Sequence, residues 1–364
     1  VQGGGARRPT TINTAKAESP DFAETNKEYQ LIKSKRMGAI TAAAFSALLF
    51  AGCATDTAAE DTSAADDTTA AAEETLFIPL ISKGFQHQFW QAVKLGAELE
   101  AAELGVEITF EGPASETEVQ AQLDMFQTAL DKNPDAIGYA TLDPEACVSY
   151  MEQAKERGIP VVQFDAGCNS DYPLNLAATD GKAAGAIAAD NMARLMGEEG
   201  EVGIVSHSQI NSTGVERRDG FAEQMAAAYP NITIVDVQYG DGDHLKSADI
   251  AKAMIAAYPN LKGLYATNEG SAVGIVNAVT ELALPAGELI IVGFDSGAAQ
   301  VEAIKSGVMA GAITQDPIGI GRAVVRNAVA AIRGETLPTF TDTGAFWYDA
   351  TNYTDENIAA VLYD

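Results

Sequence analysis

The chain predicts an α/β fold of two lobes, each built on a parallel sheet covered by helices on both faces. Three observations carry this reading. From Leu76 onward, short apolar runs alternate with segments whose apolar residues recur at helical spacing, the signature of parallel strands joined by helices. Nine apolar runs of strand length can be counted, more than one nucleotide-binding half requires and suited to two sheets of about four to six strands. The alternation is broken by Ala166 to Asp180, whose Asn169-Ser170-Asp171-Tyr172-Pro173 is loop chemistry and reads as the first crossing between lobes.

In chain order, a strand over 76–82 rests on Leu76-Phe77-Ile78-Pro79-Leu80-Ile81, and the helix over 88–105 that follows ends at Gly105. Strand 106–110, helix 116–132 and strand 136–140 come next, then a helix over 144–158 stopped by Gly158-Ile159-Pro160. Strand 160–165 closes the first half. In the second half, helix 182–198 precedes strand 201–206, helix 214–229 ends at Pro230-Asn231, and strand 232–238 leads into helix 245–258. Strand 262–267, helix 270–283, strand 289–294, helix 297–307, strand 310–314 and helix 318–333 complete the alternation. The lobes are expected over 76–179 plus 316–346 and over 180–315 plus 347–364.

The stretch ahead of the alternation is of another kind. Residues 1–30 are polar and without apolar periodicity; they are expected to precede the true start of translation, near Leu31 or at Met37, or to be disordered. Lys33, Lys35 and Arg36 then lead into an apolar run from Met37 to Ala51 that ends at Gly52-Cys53. A basic region, an apolar segment and small residues before a cleavage point make a secretory signal over 31–52, and the run is short for a membrane span. Leu49-Phe50-Ala51-Gly52-Cys53 resembles the lipobox of bacterial lipoproteins, with Phe50 where that pattern usually has Leu; the resemblance implies lipidation at Cys53. Residues 53–75, almost wholly Ala, Thr, Asp, Glu and Ser, have little to bury and are expected to form a disordered tether. In an exported domain Cys147 and Cys168, near the carboxyl ends of consecutive strands, are a possible disulfide, with two buried thiols as the alternative.

With 23 Lys and Arg against 51 Asp and Glu, the net charge is -28. That balance excludes a nucleic-acid backbone as partner and leaves the lipid anchor as the only route to a membrane. No Gly-x-Gly-x-x-Gly, Gly-Lys-Ser/Thr or Gly-x-Ser-x-Gly run occurs, and His87, His207 and His244 form no metal-ligand spacing with cysteine. No cofactor, metal or catalytic residue is therefore expected; an enzymatic reading would have to use His87 with Asp165. Asp241-Gly242-Asp243 lacks the remaining ligands of a calcium loop, and the Asn-x-Ser/Thr triplets at Asn211, Asn231 and Asn352 carry no weight.

A binding site is the better use of the polar residues. Ser82 to Trp90 forms the turn between the first strand and helix and brings Lys83, His87, Phe89 and Trp90 to the carboxyl edge of a sheet, where such folds bind ligands. Other strands end on Asp165, on Thr267-Asn268-Glu269, on Asp295 and on Thr314-Gln315, while Glu216-Arg217-Arg218 opens a helix. Singly, each is an ordinary cap or turn residue. Together they line one polar cleft whose aromatic faces and hydrogen-bonding edges suit a sugar.

These motifs, with Gly96-Ala97, Gly158-Ile159-Pro160-Val161 leading to Asp165, Arg217 with Gly220-Phe221, Asn268-Glu269 and Val292-Gly293-Phe294-Asp295, resemble the type I periplasmic-binding-protein domain of the ribose-binding-protein-like solute receptors, over nearly all of Leu76 to Leu362. The resemblance implies two Rossmann-like lobes joined by a three-segment hinge and closing on a sugar or polyol. It also implies delivery to the permease subunits of an ABC transporter, monomeric behaviour and an extracytoplasmic location. A sensory receptor signalling to a membrane kinase is the alternative within the same fold. Phe89 and Trp90 fall on the positions that sandwich the sugar; Asp165, Asn268 and Asp295 on those that bond its hydroxyls; Arg217, Gln315, Lys83 and His87 on further polar positions. Three departures are visible: Ala166 stands where ribose binders carry Arg, His87 where they carry Asn, and Gly242 where they carry an aromatic ring, for which Tyr239 is a candidate substitute.

Overall fold

The computed structural model describes residues 75–363. The expectations for residues 1–30, the signal, Cys53 and nearly all of the tether fall outside them. Among the described residues no helix is long and apolar enough to cross a membrane.

Two six-stranded sheets form the framework. The first contains β1 (Phe77–Ile81), β2 (Glu107–Glu111), β3 (Ile137–Tyr139), β4 (Val161–Phe164), β5 (Leu176–Ala178) and β11 (Phe340–Asp342), in the order β2-β1-β3-β4-β5-β11. The second contains β6 (Gly200–Ser206), β7 (Ile232–Tyr239), β8 (Leu261–Ala266), β9 (Ile290–Phe294), β10 (Gly311–Gln315) and β12 (Ala345–Tyr348), in the order β7-β6-β8-β9-β10-β12. All pairings are parallel except β10 with β12. The two orders are the same pattern drawn twice.

Helices α1 (Gln88–Leu104), α2 (Val119–Asp131) and α3 (Val148–Arg157) connect strands of the first sheet. Helices α4 (Gly181–Met196), α5 (Ser212–Ala228), α6 (His244–Ala257), α7 (Glu269–Glu281) and α8 (Ala298–Lys305) serve the second. Helix α9 (Pro317–Ile332) returns to pack on α1, and α10 (Glu356–Ala359) closes the chain. Helices cover both faces of each sheet, which is why the strands read as near-continuous apolar runs. In the first lobe Ile78, Leu80, Val93, Val162 and Val324 fill one face and Phe126, Leu130, Ile137 and Met151 the other. In the second, Val205, Met254, Leu264 and Ile291 are matched by Met192, Ile204, Phe221 and Phe294.

Two close helix crossings position the cleft. A Cβ on Gly96 would lie 2.1 Å from the Ile318 carbonyl oxygen, where α1 meets α9, and one on Gly220 would lie 2.1 Å from that of Lys182, where α5 meets α4. Both glycines belong to motifs quoted above; their work is backbone approach, which sets the helices carrying Phe89, Trp90 and Arg217.

The expected elements need four additions and some trimming. Strands β5, β11 and β12 and helix α10 span only three or four residues each, too short to show a period. Ala166 to Asp180 therefore contains β5, and the crossing begins only after it. Helix α2 starts at Val119 rather than 116, and α3 at Val148 rather than 144. The chain crosses between sheets after β5, after β10 and between β11 and β12. The last crossing lies at Thr343-Gly344, ahead of the expected 346, because Ala345–Tyr348 already pairs with β10. Cys147 and Cys168 are bonded, with Cα atoms 6.1 Å apart, and tie the start of α3 to the loop after β4.

Candidate functional site

Each sheet ends its fourth strand on an aspartate held in the left-handed backbone region. Asp165 follows β4 with φ 59°, and Asp295 follows β9 with φ 81°. The two strands hold equivalent places in the two sheets. A non-glycine residue in this region costs on the order of 1 kcal/mol and persists only where the surroundings over-determine it. Both are so held: the Asp165 N–H donates to Ala177 O at 2.9 Å and the Asp295 N–H to Ile313 O at 2.6 Å, each on the next strand.

Each carboxylate has a cation beside it. Lys83, just beyond β1, places Nζ 2.9 Å from Asp165 Oδ2, with both side chains buried. From there Nζ also donates into the second lobe, to Asn211 Oδ1 at 3.3 Å and Thr213 Oγ1 at 3.2 Å. Asp295 accepts from Gln315 Nε2 at 2.7 Å and from the Glu269 N–H at 2.9 Å, and Arg217 Nη1 stands 4.0 Å away. The Arg217 guanidinium lies over the Phe294 ring at 3.8 Å and donates to the Thr267 carbonyl at 3.0 Å. Burial pushes the Asp295 carboxyl above the usual range, against the pull of Arg217, the Gln315 amide and the Glu269 N–H.

The lobes meet through further contacts. Asn211 Nδ2 donates to the Thr141 and Leu142 carbonyls of the first lobe at 2.6 and 3.2 Å. His87 Nε2 lies 3.5 Å from Asn268 Nδ2, and the His87 ring stacks 6.0 Å from that of His244. Burial lowers the His87 pKa, against the upward pull of Glu116 and Asp295. A Cβ on Gly242 would lie 3.2 Å from Asn268 Nδ2 and 3.4 Å from His87 Nε2. Gly242 therefore packs close to the His87 imidazole and the Asn268 amide. The Tyr239 hydroxyl accepts from Arg218 Nη1 at 2.8 Å.

Phe89 and Trp90 lie in the first-lobe core. Their rings meet edge-on at 5.0 Å, Trp90 also packs edge-on against Phe164 at 6.2 Å, and both are buried within the core under α1 and α9. Trp90 is nevertheless bound into the polar network. Its Nε1 donates to Glu116 Oε1 at 2.8 Å, and Lys83 Nζ lies 5.7 Å from its ring centroid.

The nine residues anticipated from the sequence, Lys83, His87, Phe89, Trp90, Asp165, Arg217, Asn268, Asp295 and Gln315, are therefore brought together. Sequence reasoning missed Glu116, Asn211, Thr213 and His207. Burial raises the Glu116 carboxyl, but Lys83, His87, the Trp90 N–H and Arg217 outweigh it and hold the group below its ordinary value. Glu116 lies in the loop after β2, a strand-end signal that was absorbed into a helix expected from 116. Asn211 shows in the sequence only as an idle triplet; it caps α5 and joins the lobes. His207 sits between Thr267 and Thr213, 2.7 and 3.0 Å from their hydroxyls, and burial followed by Arg217, Lys83 and the His87 ring lowers it well below its usual value. Asp243 of the discounted calcium pattern caps α6 instead.

Several buried polar atoms of this cluster have no hydrogen-bond partner among the described residues: His87 Nδ1, Arg217 Nε, Gln163 Nε2 and Thr141 Oγ1. Unpaired buried donors cost about 1–3 kcal/mol each, so a site carrying several is built for a polar molecule. The nearest charged partner of Asp165 is Lys83, not His87, and no group of three metal-ligating side chains occurs among the described residues.

Comparison with known proteins agrees with this geometry. The model of the periplasmic binding protein domain matches residues 78–336. The D-allose-binding periplasmic protein of Escherichia coli K12 is 30% identical over 281 residues, 74% of this chain and 88% of that protein. The ribose import binding protein of the same organism is 26% identical over 268 residues, 74% of this chain and 88% of its own. Among solved structures, a solute-binding protein of an ABC transporter from Agrobacterium vitis, bound to α-D-tagatopyranose, superposes with a TM-score of 0.77 at 31% identity. The match covers 80% of this chain and 100% of that one. A carbohydrate-transporter solute-binding protein from Agrobacterium radiobacter, in complex with D-arabinose, gives 0.76 at 30% identity over the same shares.

Proposed function

This chain belongs to the periplasmic binding protein domain family, and we propose that it captures a monosaccharide or polyol between its two lobes and hands it to the permease of an ABC transporter. One observation carries the reading: the two left-handed aspartates, one per lobe at equivalent strand ends, each beside a buried cation in a cluster with unpartnered donors. Carboxylates accept from vicinal hydroxyls, Arg217 and Lys83 donate to ring and hydroxyl oxygens, and Phe89 and Trp90 offer apolar surface to the C–H face of a sugar. A ligand bonded by both lobes stabilises the closed form by its differential affinity for that form.

The protein acts by binding, without catalysis, cofactor or metal. It works outside the cytoplasm as a monomer, held to the membrane by a lipid on Cys53 and kept clear of it by the acidic tether. The relatives named above bind or import sugars, which favours transport over the sensory alternative.

A thermal-shift panel of pentoses, aldohexoses, ketohexoses and polyols, including D-allose, D-ribose, D-tagatose and D-arabinose, tests the reading. A sugar at a hundredfold excess over its dissociation constant should add about 2.7 kcal/mol of stability. A panel in which no member raises the melting temperature contradicts it.

A further inference from the structure

Helix ends expose backbone N–H groups that need partners, and a side chain at the N-cap position usually supplies one. Here α4, α5, α6, α7 and α9 are each capped by their own Asp or Asn. Of the helices without such a cap, α1 and α8 face each other across the cleft from different lobes. The α1 N-cap is His87, which makes no side-chain capping bond; the α8 N-cap is Gly297, whose N–H donates to Gln300 Oε1 at 3.3 Å, leaving the Ala298 N–H without a partner on its own helix.

Their missing partners come from the opposite lobe. Glu269, at the start of α7 in the second lobe, accepts from the Gln88 N–H through Oε1 at 3.2 Å and from the Phe89 N–H through Oε2 at 3.4 Å. In return, Gln88 Oε1 accepts from the Ala298 N–H at 2.7 Å. Gly297 makes room for both: a Cβ there would lie 2.9 Å from Gln88 Oε1 and 3.0 Å from the Glu269 carboxyl. The same Glu269 donates its backbone N–H to Asp295, so one residue touches a ligand carboxylate of the second lobe and the helix end that carries Phe89 and Trp90 in the first.

We propose that Glu269 and Gln88 form a reciprocal helix-capping latch, two positioning residues through which closure of the lobes completes the N-termini of α1 and α8 together and brings the ring pair up to Asp295. The latch rests on the reading of the two lobes as closing on a ligand. Neither residue need touch that ligand. Closure satisfies three backbone donors in one step, and opening exposes all three, so the two helix ends are coupled rather than merely adjacent.

Hydrogen exchange at the Gln88, Phe89 and Ala298 amides reads this coupling directly, in the full chain and without ligand. In the wild type the two helix ends should exchange in step. Glu269→Ala should speed exchange at Ala298, which it does not bond, and Gln88→Ala should speed it at Phe89, each by about tenfold or more. Gly297→Ala, which leaves both capping groups in place, should speed both ends. The proposal is overturned if Glu269→Ala affects only residues 88–89 and Gln88→Ala only 298, or if wild type and variants exchange alike. Added D-allose or D-ribose should slow both ends in the wild type. If neither sugar does so while the cross effects persist, the sugar reading fails and the latch stands.

Discussion

Trp90 shows how core packing and a polar network share one residue. With 1% of its surface exposed, it belongs to the first-lobe core, yet its Nε1 and its contact with Lys83 tie it to the cleft. Trp90→Ala should therefore cost about 3–5 kcal/mol in denaturant unfolding as well as sugar affinity. Trp90→Phe keeps one aromatic ring but gives up part of the packing volume and the bond to Glu116; it should cost less stability than Trp90→Ala in the same unfolding measurement while binding sugar more weakly. Unchanged stability of Trp90→Ala would contradict the packing role, and unchanged sugar affinity of Trp90→Phe the polar one. Glu269 also combines two roles: burial first and then Asp295 push its carboxyl up to about 7, against the bonds from the Gln88 and Phe89 amides. At this scale the sequence was most legible where a polar residue follows an apolar strand, as at Asp165 and Asp295. Glu116 and Asn211 were illegible because their neighbours look like ordinary helix starts: Glu116 meets Trp90 and Gln86 only through the folding of the first lobe, and Asn211 meets Lys83, Thr141 and Leu142 of the other lobe.

The disulfide acts on elements. Cys168 lies three residues beyond Asp165, and its bond to Cys147 closes a loop with a sequence separation of 21. The chain-entropy model gives such a bridge about 3 kcal/mol, so replacing both cysteines with alanine should lower first-lobe stability by about that amount in denaturant unfolding. Sugar affinity in calorimetry should change less than about threefold, because Asp165 is held by its own bonds to Ala177 and Lys83. A collapse of affinity without loss of stability would contradict that division. Elements longer than four residues were legible from period and punctuation: Gly105 and Gly158 do end α1 and α3 in the left-handed conformation. The strands β5, β11 and β12 were not: β3 and β4 are as short but sit in apolar runs beside clear helical patterns, whereas Leu176–Ala178, Phe340–Asp342 and Ala345–Tyr348 lie in irregular stretches.

The whole molecule is one pattern used twice. Equivalent strand orders place Asp165 and Asp295 at equivalent points, and glycine-lined crossings of α1 with α9 and of α4 with α5 set the helices beside them. Alternation of strands and helices made the two-lobed fold readable, but the pairing of the lobes was not, because no local signal says which loop faces which. That is why the reciprocal caps at Gln88 and Glu269 emerge only from the folded chain. The central claim is that a sugar is held by both lobes at once. Titration calorimetry of the sugar panel against wild type, Asp165→Asn and Asp295→Asn tests it most directly. The account predicts measurable binding to the wild type and a loss of about 2 kcal/mol, roughly thirtyfold in affinity, for each single variant. Binding that survives unchanged when either lobe's aspartate is replaced, or that is absent from the wild type across the panel, would contradict it.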